Sequence, residues 1–324
     1  MKRRTAAWDS SLFDWAERLE PNTEAAPEDV PSSPERSPAG EVWGIDAMNL
    51  IFQLYHAMPE MTSPDGRPIA VLWGFLRDLL TIRREYRPAS IFVAFDLPGG
   101  TFRHTFHPEY KANRSPTPEP LLEQIVQIRP LLEELGIAVV AQAGFEADDI
   151  LATLAETTER AGRRCVIVTN DKDCRQLISP AVRLCALRKK RFHDLDTLRE
   201  EWGITPSQVV DYLSLVGDAV DNVVGVPMIG PKIARELLIR HGGWEGIQQT
   251  LDTVSGERRR ENLRGAADLM ERNRTLIRLR RDVPCTFDHV AGAHPIAAPT
   301  AVETLRRLGL ARYISDFTSE SPTP

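Results

Sequence analysis

Short apolar runs, each closed by an acidic side chain, recur through the middle of the chain. Val42-Trp43-Gly44-Ile45 ends at Asp46, Ser90-Ile91-Phe92-Val93-Ala94-Phe95 at Asp96, and Cys165-Val166-Ile167-Val168-Thr169 runs on to Asp171. Continuous apolar runs of this length read as strands buried on both faces. Helical periodicity fills the intervals, over 69–85, 119–135 and 147–161, the last ending at Gly162. The alternation predicts an α/β fold: a mostly parallel sheet with helices on both faces. Past residue 204 the pattern turns mainly helical, with a turn at 225–231, and a last helix near 299–317 is expected to pack back on the body. Upstream, Trp8, Leu12, Trp15 and Leu19 recur as one helical stripe that Ser10 or Ser11 can cap. Residues 21–40, rich in Pro, Glu, Ser and Ala, read as a disordered linker. The expected division is therefore a peptide and linker over 1–40, an α/β body over 41–203, a helical subdomain over 204–295 and a C-terminal helix over 296–318.

The acidic residues gather where site edges form. Asp46, Asp96 and Asp171 fall at or past strand C-termini, the edge at which open α/β sheets build their sites. Glu146, Asp148 and Asp149 open the helix at 147, Asp173 follows Asp171, and Asp218 and Asp221 follow within Gly217-Asp218-Ala219-Val220-Asp221-Asn222. Any one group has an ordinary explanation, because a helix dipole favours acids in its first turn. Coincidental capping explains their concurrence poorly. Carboxylates at strand ends cost solvation free energy unless a cation compensates them, and oxygen-only donors favour magnesium or manganese over zinc. Two such ions, sharing carboxylates, suit phosphodiester hydrolysis. The seven histidines show no paired spacing and the serines no nucleophile elbow.

Composition changes this little. The net charge of −6 argues at first against a nucleic-acid partner, but without the nine carboxylates just named the 40 basic side chains would be in the majority. The four cysteines lack zinc-type spacing and are expected as buried thiols in a reducing cytoplasm. No apolar window is long enough for a membrane span, and no apolar core follows the basic N-terminus as a secretory signal would require.

Two further segments carry candidate chemistry. Residues 99–118 interleave Arg103, His104, Lys111 and Arg114 with Phe102, Phe106 and Tyr110, a composition suited to phosphate contact and base stacking on a single strand. Gly225-Val-Pro-Met-Ile-Gly230-Pro-Lys232 superficially matches a phosphate-binding loop, but Pro231 intervenes and no Ser or Thr follows Lys232. A helix-hairpin-helix turn fits better, since its backbone N–H groups accept a DNA phosphate without reading sequence.

Together these motifs resemble the 5′-nuclease (flap endonuclease) family, and within it the 5′→3′ exonuclease domain of bacterial DNA polymerase I, over roughly residues 42–318. The segments that carry the likeness are Ile45-Asp46, Phe95-Asp96, Phe102-Arg103-His104, Tyr110-Lys111 with Arg114, Gly144-Phe-Glu-Ala-Asp-Asp149, Thr169-Asn-Asp-Lys-Asp173 and Gly217-Asp-Ala-Val-Asp-Asn222. The resemblance implies a resolvase-like (PIN-like) core with a helical arch at about 99–120 and a helix-hairpin-helix subdomain. It also implies a magnesium-dependent 5′ nuclease, cleaving 5′ flaps and 5′ ends in primer removal and repair, with manganese able to substitute. Asp46, Asp96, Glu146 and Asp148 would serve a first metal, and Asp171, Asp173 and Asp221 a second, with Asp149 and Asp218 as outer ligands. Lys111 and Arg114 would reach the scissile phosphate, with Arg103 and Tyr110 in the same arch. Gly225, Gly230 and Lys232 would grip duplex DNA, where the family can hold potassium. Ala47, Gln53, Val224 and Met228 depart from the family pattern.

No polymerase module follows in this sequence, so a monomeric, stand-alone nuclease of the cytoplasm and nucleoid is expected. Its candidate partners through residues 1–20 are a separate polymerase or a sliding clamp, the latter through Ser11-Leu12-Phe13. A rival from another class is a non-catalytic binder of flap or junction DNA, whose mark would be lost metal ligands. A phosphatase is disfavoured because Asp46-Ala47-Met48 lacks the second Asp such enzymes place after the first strand.

Overall fold

The computed structural model describes residues 40–287 and 299–318. The amphipathic stripe, the linker and the expected boundary at 295/296 lie outside these residues. Six strands form one sheet in the order β3-β2-β1-β4-β5-β6: β1 Val42–Asp46, β2 Ser90–Ala94, β3 Ala138–Val140, β4 Cys165–Val168, β5 Val182–Ala186 and β6 Arg191–His193. All neighbours are parallel except the β5–β6 edge pair. The central strand β1 is buried along its whole length, as a strand flanked on both sides and covered on both faces must be.

Opposite faces of β1 meet different helices. Trp43 stacks on Tyr86, with ring centroids 4.7 Å apart, and meets Phe192 edge-on. On the other face Gly44 lies beneath helix α5 (Ala147–Arg160), where a Cβ would stand 2.8 Å from methyl carbons of Leu151 and Leu154. Its missing side chain lets that helix lie close to the sheet.

Helix α1 (Ala47–Ala57) starts directly after the last residue of β1, and the Asp46 carboxylate caps it by accepting from Asn49 N at 3.0 Å. Helix α2 covers Ala70–Thr81 and is followed directly by a π-helical turn, Ile82–Tyr86. Residues 99–118 are helical only in α3 (Phe102–Phe106), with turns at 108–113 and no regular structure at 114–118 before α4 (Glu119–Glu134). The expected helical arch is thus mostly non-helical here, in keeping with Pro108, Pro116 and Pro118, which interrupt backbone pairing.

The helical part follows: α6 (Leu195–Trp202), α7 (Val209–Val216), a ribbon of β7 (Gly217–Asp218) and β8 (Val223–Val224), then α8 (Pro231–His241), α9 (Trp244–Gln249), α10 (Glu257–Arg264) and α11 (Ala267–Ile277). One apolar core runs from β2, β4 and α5 into this part without a break, through Leu177, Leu213, Ile229, Met270 and Leu279. Helices α12 (Pro299–Arg307) and α13 (Ile314–Thr318) return to the α/β body, where Arg84 pairs with Asp316 and Trp73 meets Tyr313. Among the described residues no helix is long and apolar enough to cross a membrane.

Candidate active site

A cavity of about 450 Å³ opens at the C-terminal edge of the sheet. Asp46, Asp96, Glu146, Asp148 and Asp171 line it from β1, the β2 and β4 exits and the start of α5, together with Lys111 and Arg114. Met48, Asn49, Phe52, Gln53 and His56 of α1 form a wall without carboxylates. The acids are wired to one another. Thr169 Oγ1 donates to Asp46 Oδ2 at 3.1 Å and accepts from Asp171 N at 3.1 Å. Asp171 Oδ1 accepts from Asp173 N at 2.8 Å, and Asp96 Oδ1 from Ala147 N at 2.9 Å. The Cys174 thiol donates to Asp148 Oδ1 at 3.3 Å.

Burial is the main electrostatic fact. It lifts the Asp46 carboxyl to about 7, with the charges of Asp96 and Asp171 adding to the effect. Burial likewise drives Asp148 and Asp173 well above the ordinary carboxylate range, and neighbouring carboxylates push the same way. Asp173 Oδ1 is buried without a hydrogen-bond partner. Such a set is short of positive charge.

Part of the deficit is met from 99–118 and from Lys172. Lys111 Nζ lies 2.9 Å from Glu146 Oε1 and 3.9 Å from Asp221 Oδ2, and Arg114 Nη2 lies 2.5 Å from Asp221 Oδ1. Burial pulls the Lys111 ammonium down, but Glu146 and Asp221 outweigh it and hold it above its ordinary value. Buried Tyr110 sends its hydroxyl to Glu146 and Asp221, 3.3 Å from each. Lys172 pairs with Asp218 at 2.9 Å. Lys111 itself sits at φ +58°, a left-handed conformation that costs a non-glycine residue about 1–2 kcal/mol. The chain around it is pinned to the β7–β8 turn through Lys111 N–Asp221 O, Asn113 Nδ2–Ala219 O and Asn222 Nδ2–Glu109 O.

The structure parts the expected residues into three groups. Asp46, Asp96, Glu146, Asp148, Asp171, Lys111 and Arg114 share the cavity; Tyr110, Asp173 and Asp221 touch its lining through the contacts just given, and Asp218 lies beyond, on Lys172. As the side chains stand, no three described Asp, Glu, His or Cys residues are grouped tightly enough to hold an ion.

Asp149 and Arg103 form a second group, paired with each other behind Glu146. Asp149 is fully buried, and its carboxylate accepts both ends of the Arg103 guanidinium plus the Glu146 and Arg280 N–H groups. These four donors take up its lone pairs, so it meets the acidic cluster through the Glu146 backbone and not across the cavity. Arg103, 1% exposed, is likewise not available to a phosphate.

The hairpin residues form the third group. Gly225 is packed against Gly217, and a Cβ on it would fall 2.2 Å from Val216 O, so it serves the ribbon's fold. Gly230 sits at the N-cap of α8 with open space where a Cβ would go, and Lys232 is exposed in the first turn. Met228 takes φ +66° at the turn between them.

Family models for the 5′-3′ exonuclease N-terminal resolvase-like domain and its C-terminal SAM fold match residues 41–203 and 204–300. The chain belongs to the 5′-3′ exonuclease family. It is 36% identical over 252 residues to DNA polymerase I of Rhizobium leguminosarum, covering 75% of this chain and 25% of that protein. The thermostable DNA polymerase I of Thermus thermophilus is 36% identical over 260 residues, covering 80% and 31%. This chain thus spans about a quarter to a third of the curated relatives it matches. In fold it is similar to T5 5′-exonuclease bound to zinc (TM-score 0.63, 21% identity, 84% of this chain and 99% of that one). It is also similar to the catalytic core of Rad2 in complex with DNA substrate (TM-score 0.53, 16% identity, 95% and 97%).

Proposed function

We propose that this 5′-3′ exonuclease family member is a structure-specific nuclease that hydrolyses DNA phosphodiesters at 5′ ends and flap junctions, in primer removal and repair. The observation that carries the reading is the meeting of five carboxylates with Lys111 and Arg114 in one cavity. The donor set fits divalent cations: all oxygen and crowded, with the Asp46 and Asp173 carboxyls driven upward by burial and Asp173 Oδ1 left without a partner. Asp46, Asp96, Glu146 and Asp148 would hold one magnesium or manganese ion, and Asp171, Asp173 and Asp221 a second, with Asp218 behind them. The chemistry such ions would supply there is a water acidic enough to ionise near neutral pH and charge stabilisation of the leaving oxygen. T5 D15 flap endonuclease, similar in fold, is known in a complex with DNA and metal ions.

The rest is done by the chain itself. Lys111 and Arg114 exchange Glu146 and Asp221 for the scissile phosphate and keep it in the cavity by charge. Tyr110, held by the same two carboxylates, fixes the base of the 99–118 segment over the cavity and limits passage to a single strand. The first turn of α8, with Gly230 and Lys232, takes a phosphate of the adjoining duplex, and potassium can assist there. Residues 1–20 would bring a polymerase or clamp partner.

The test is a 5′-flap duplex labelled at the flap end, incubated with magnesium, with EDTA, and with Asp171→Asn. Cleavage near the junction that needs metal and is lost in the variant is the expected result. Tight flap binding by the wild-type chain without turnover in magnesium or manganese would instead assign it as a non-catalytic flap binder.

A further inference from the structure

The segment leaving α11 is held one residue at a time. Leu276 O accepts from Arg103 Nε at 2.6 Å, Ile277 O from Gln176 Nε2 at 3.0 Å, and Arg278 O from Arg103 Nη2 at 3.2 Å. Leu279 N then donates to Gln176 Oε1 at 3.0 Å, and Arg280 N to Asp149 Oδ1 at 2.9 Å. Even-numbered residues face Arg103 and Asp149, and odd-numbered ones face Gln176. The strap is thus clasped from two sides.

Each clasp is part of the acidic cluster's own scaffold. Asp149 stands beside Asp148 in the first turn of α5, and its Oδ2 accepts from Glu146 N at 3.1 Å. Arg103 also lies 3.3 Å from Glu146 Oε2. Its four hydrogen bonds and this ion pair match the five N–H donors of a guanidinium, and the Phe102 ring lies 4.5 Å from its central carbon. Gln176 belongs to the 3₁₀ helix Asp173–Leu177 and sends Nε2 also to Asp173 O at 2.9 Å. Two further links run between the same elements: the Cys174 thiol to Asp148, and Arg281, just past the strap, to Glu156 and Gln176 O. An unclasped strap would leave a buried guanidinium, a buried carboxylate and backbone groups unsatisfied, so the arrangement is effectively all-or-none.

We infer that the strap Leu276–Arg280, gripped by Arg103 with Asp149 on one side and Gln176 on the other, positions the two carboxylate sets, Glu146/Asp148 and Asp171/Asp173, relative to each other. Arg103, Asp149 and Gln176 are positioning residues on this assignment. They act on the carboxylates from behind, as outer-shell partners orient metal ligands. The inference rests on the metal-site reading above.

Calorimetric titration of the intact chain with Mn²⁺, beside melting temperature and flap kinetics, tests it. Gln176→Ala and Arg103→Lys, the latter keeping the charge but offering three donors for five, are expected to lose about 10-fold or more in Mn²⁺ affinity. Their kcat falls, while KM for flap DNA stays within about twofold, since outer-shell loss acts on the ligands and not on the DNA contacts. Thr153→Val is the control. It removes the strap's next anchor, the 3.2 Å bond from Val283 N to Thr153 Oγ1, and should lower the melting temperature while Mn²⁺ affinity stays at the wild-type value. Wild-type Mn²⁺ affinity in folded Gln176→Ala would overturn the inference, and that variant decides the matter even if Arg103→Lys does not fold. A wild-type chain that takes up no Mn²⁺ would overturn the metal-site reading itself, and the inference with it.

Discussion

Lys111 and Asp46 show how single side chains are held in costly states at this site. Lys111 combines a left-handed backbone with a half-buried ammonium, and among the described residues its direct anions are Glu146 and Asp221. Lys111→Ala is expected to cut kcat by about 100–1,000-fold, the usual cost of one preorganised donor to a developing anion. Flap binding should change far less, and equilibrium binding beside single-turnover kinetics separates the two. Asp46 supplies a sign that can be checked. An acid with a folded pKa of about 7 against an ordinary 3.8 holds its proton more tightly when folded, so stability falls as pH rises across that window. In EDTA the melting temperature should therefore decline from about pH 5 to about pH 7.5 as the carboxyl ionises. Asp46→Asn keeps an oxygen to cap α1, should melt higher near neutral pH and should show a shallower slope. Equal slopes for the two proteins would exclude Asp46 as the source.

Among elements, the glycines of the hairpin region separate folding from binding. A Cβ at Gly225 would meet backbone on a ribbon that carries Asp218 and Asp221, so Gly225→Ala should cost more than about 3 kcal/mol, beyond ordinary single-site effects. Gly230→Ala meets open space and should stay within about 0.5 kcal/mol of wild type, yet weaken duplex binding if α8 receives a phosphate. Denaturant melts and duplex titrations on both variants give the comparison. The sheet's centre was legible because β1, β2 and β4 are unbroken apolar runs. Strands β3, β5 and β6 were not, being short or, like Val182-Arg183-Leu184-Cys185-Ala186, interrupted by charge. The acids at strand ends could be read by position alone. Spacing could not reveal that Asp149 turns away from the cavity, because its partners lie 46 and 131 residues distant. Gln176 gave no signal, since an amide between Arg175 and Leu177 looks like any other surface residue.

At the scale of the whole molecule, the α/β body and the helical part share one apolar core and the strap. A fragment ending at residue 203 should therefore fail to fold cooperatively, having lost partners for Arg103, Asp149 and Gln176. Circular dichroism melts of the fragment against the full chain test this directly. Overall charge is −6, so contact with DNA must come from local cationic groups. Binding of duplex should weaken linearly in log–log terms with salt, at a slope near −0.9 for each phosphate neutralised (about that value for B-form DNA).

The pairing of Lys111 and Arg114 with Glu146 and Asp221 makes two cargoes mutually dependent. Metal charge at those carboxylates frees the cations, and a polyanion that draws the cations off frees the carboxylates. Whatever factor the nucleic acid confers on ion uptake, the ion must return to nucleic-acid affinity, because the thermodynamic cycle closes. On the metal-site reading proposed above, a chain without DNA would keep its ions loosely and gain them on meeting a polyanion, which would restrain idle hydrolysis.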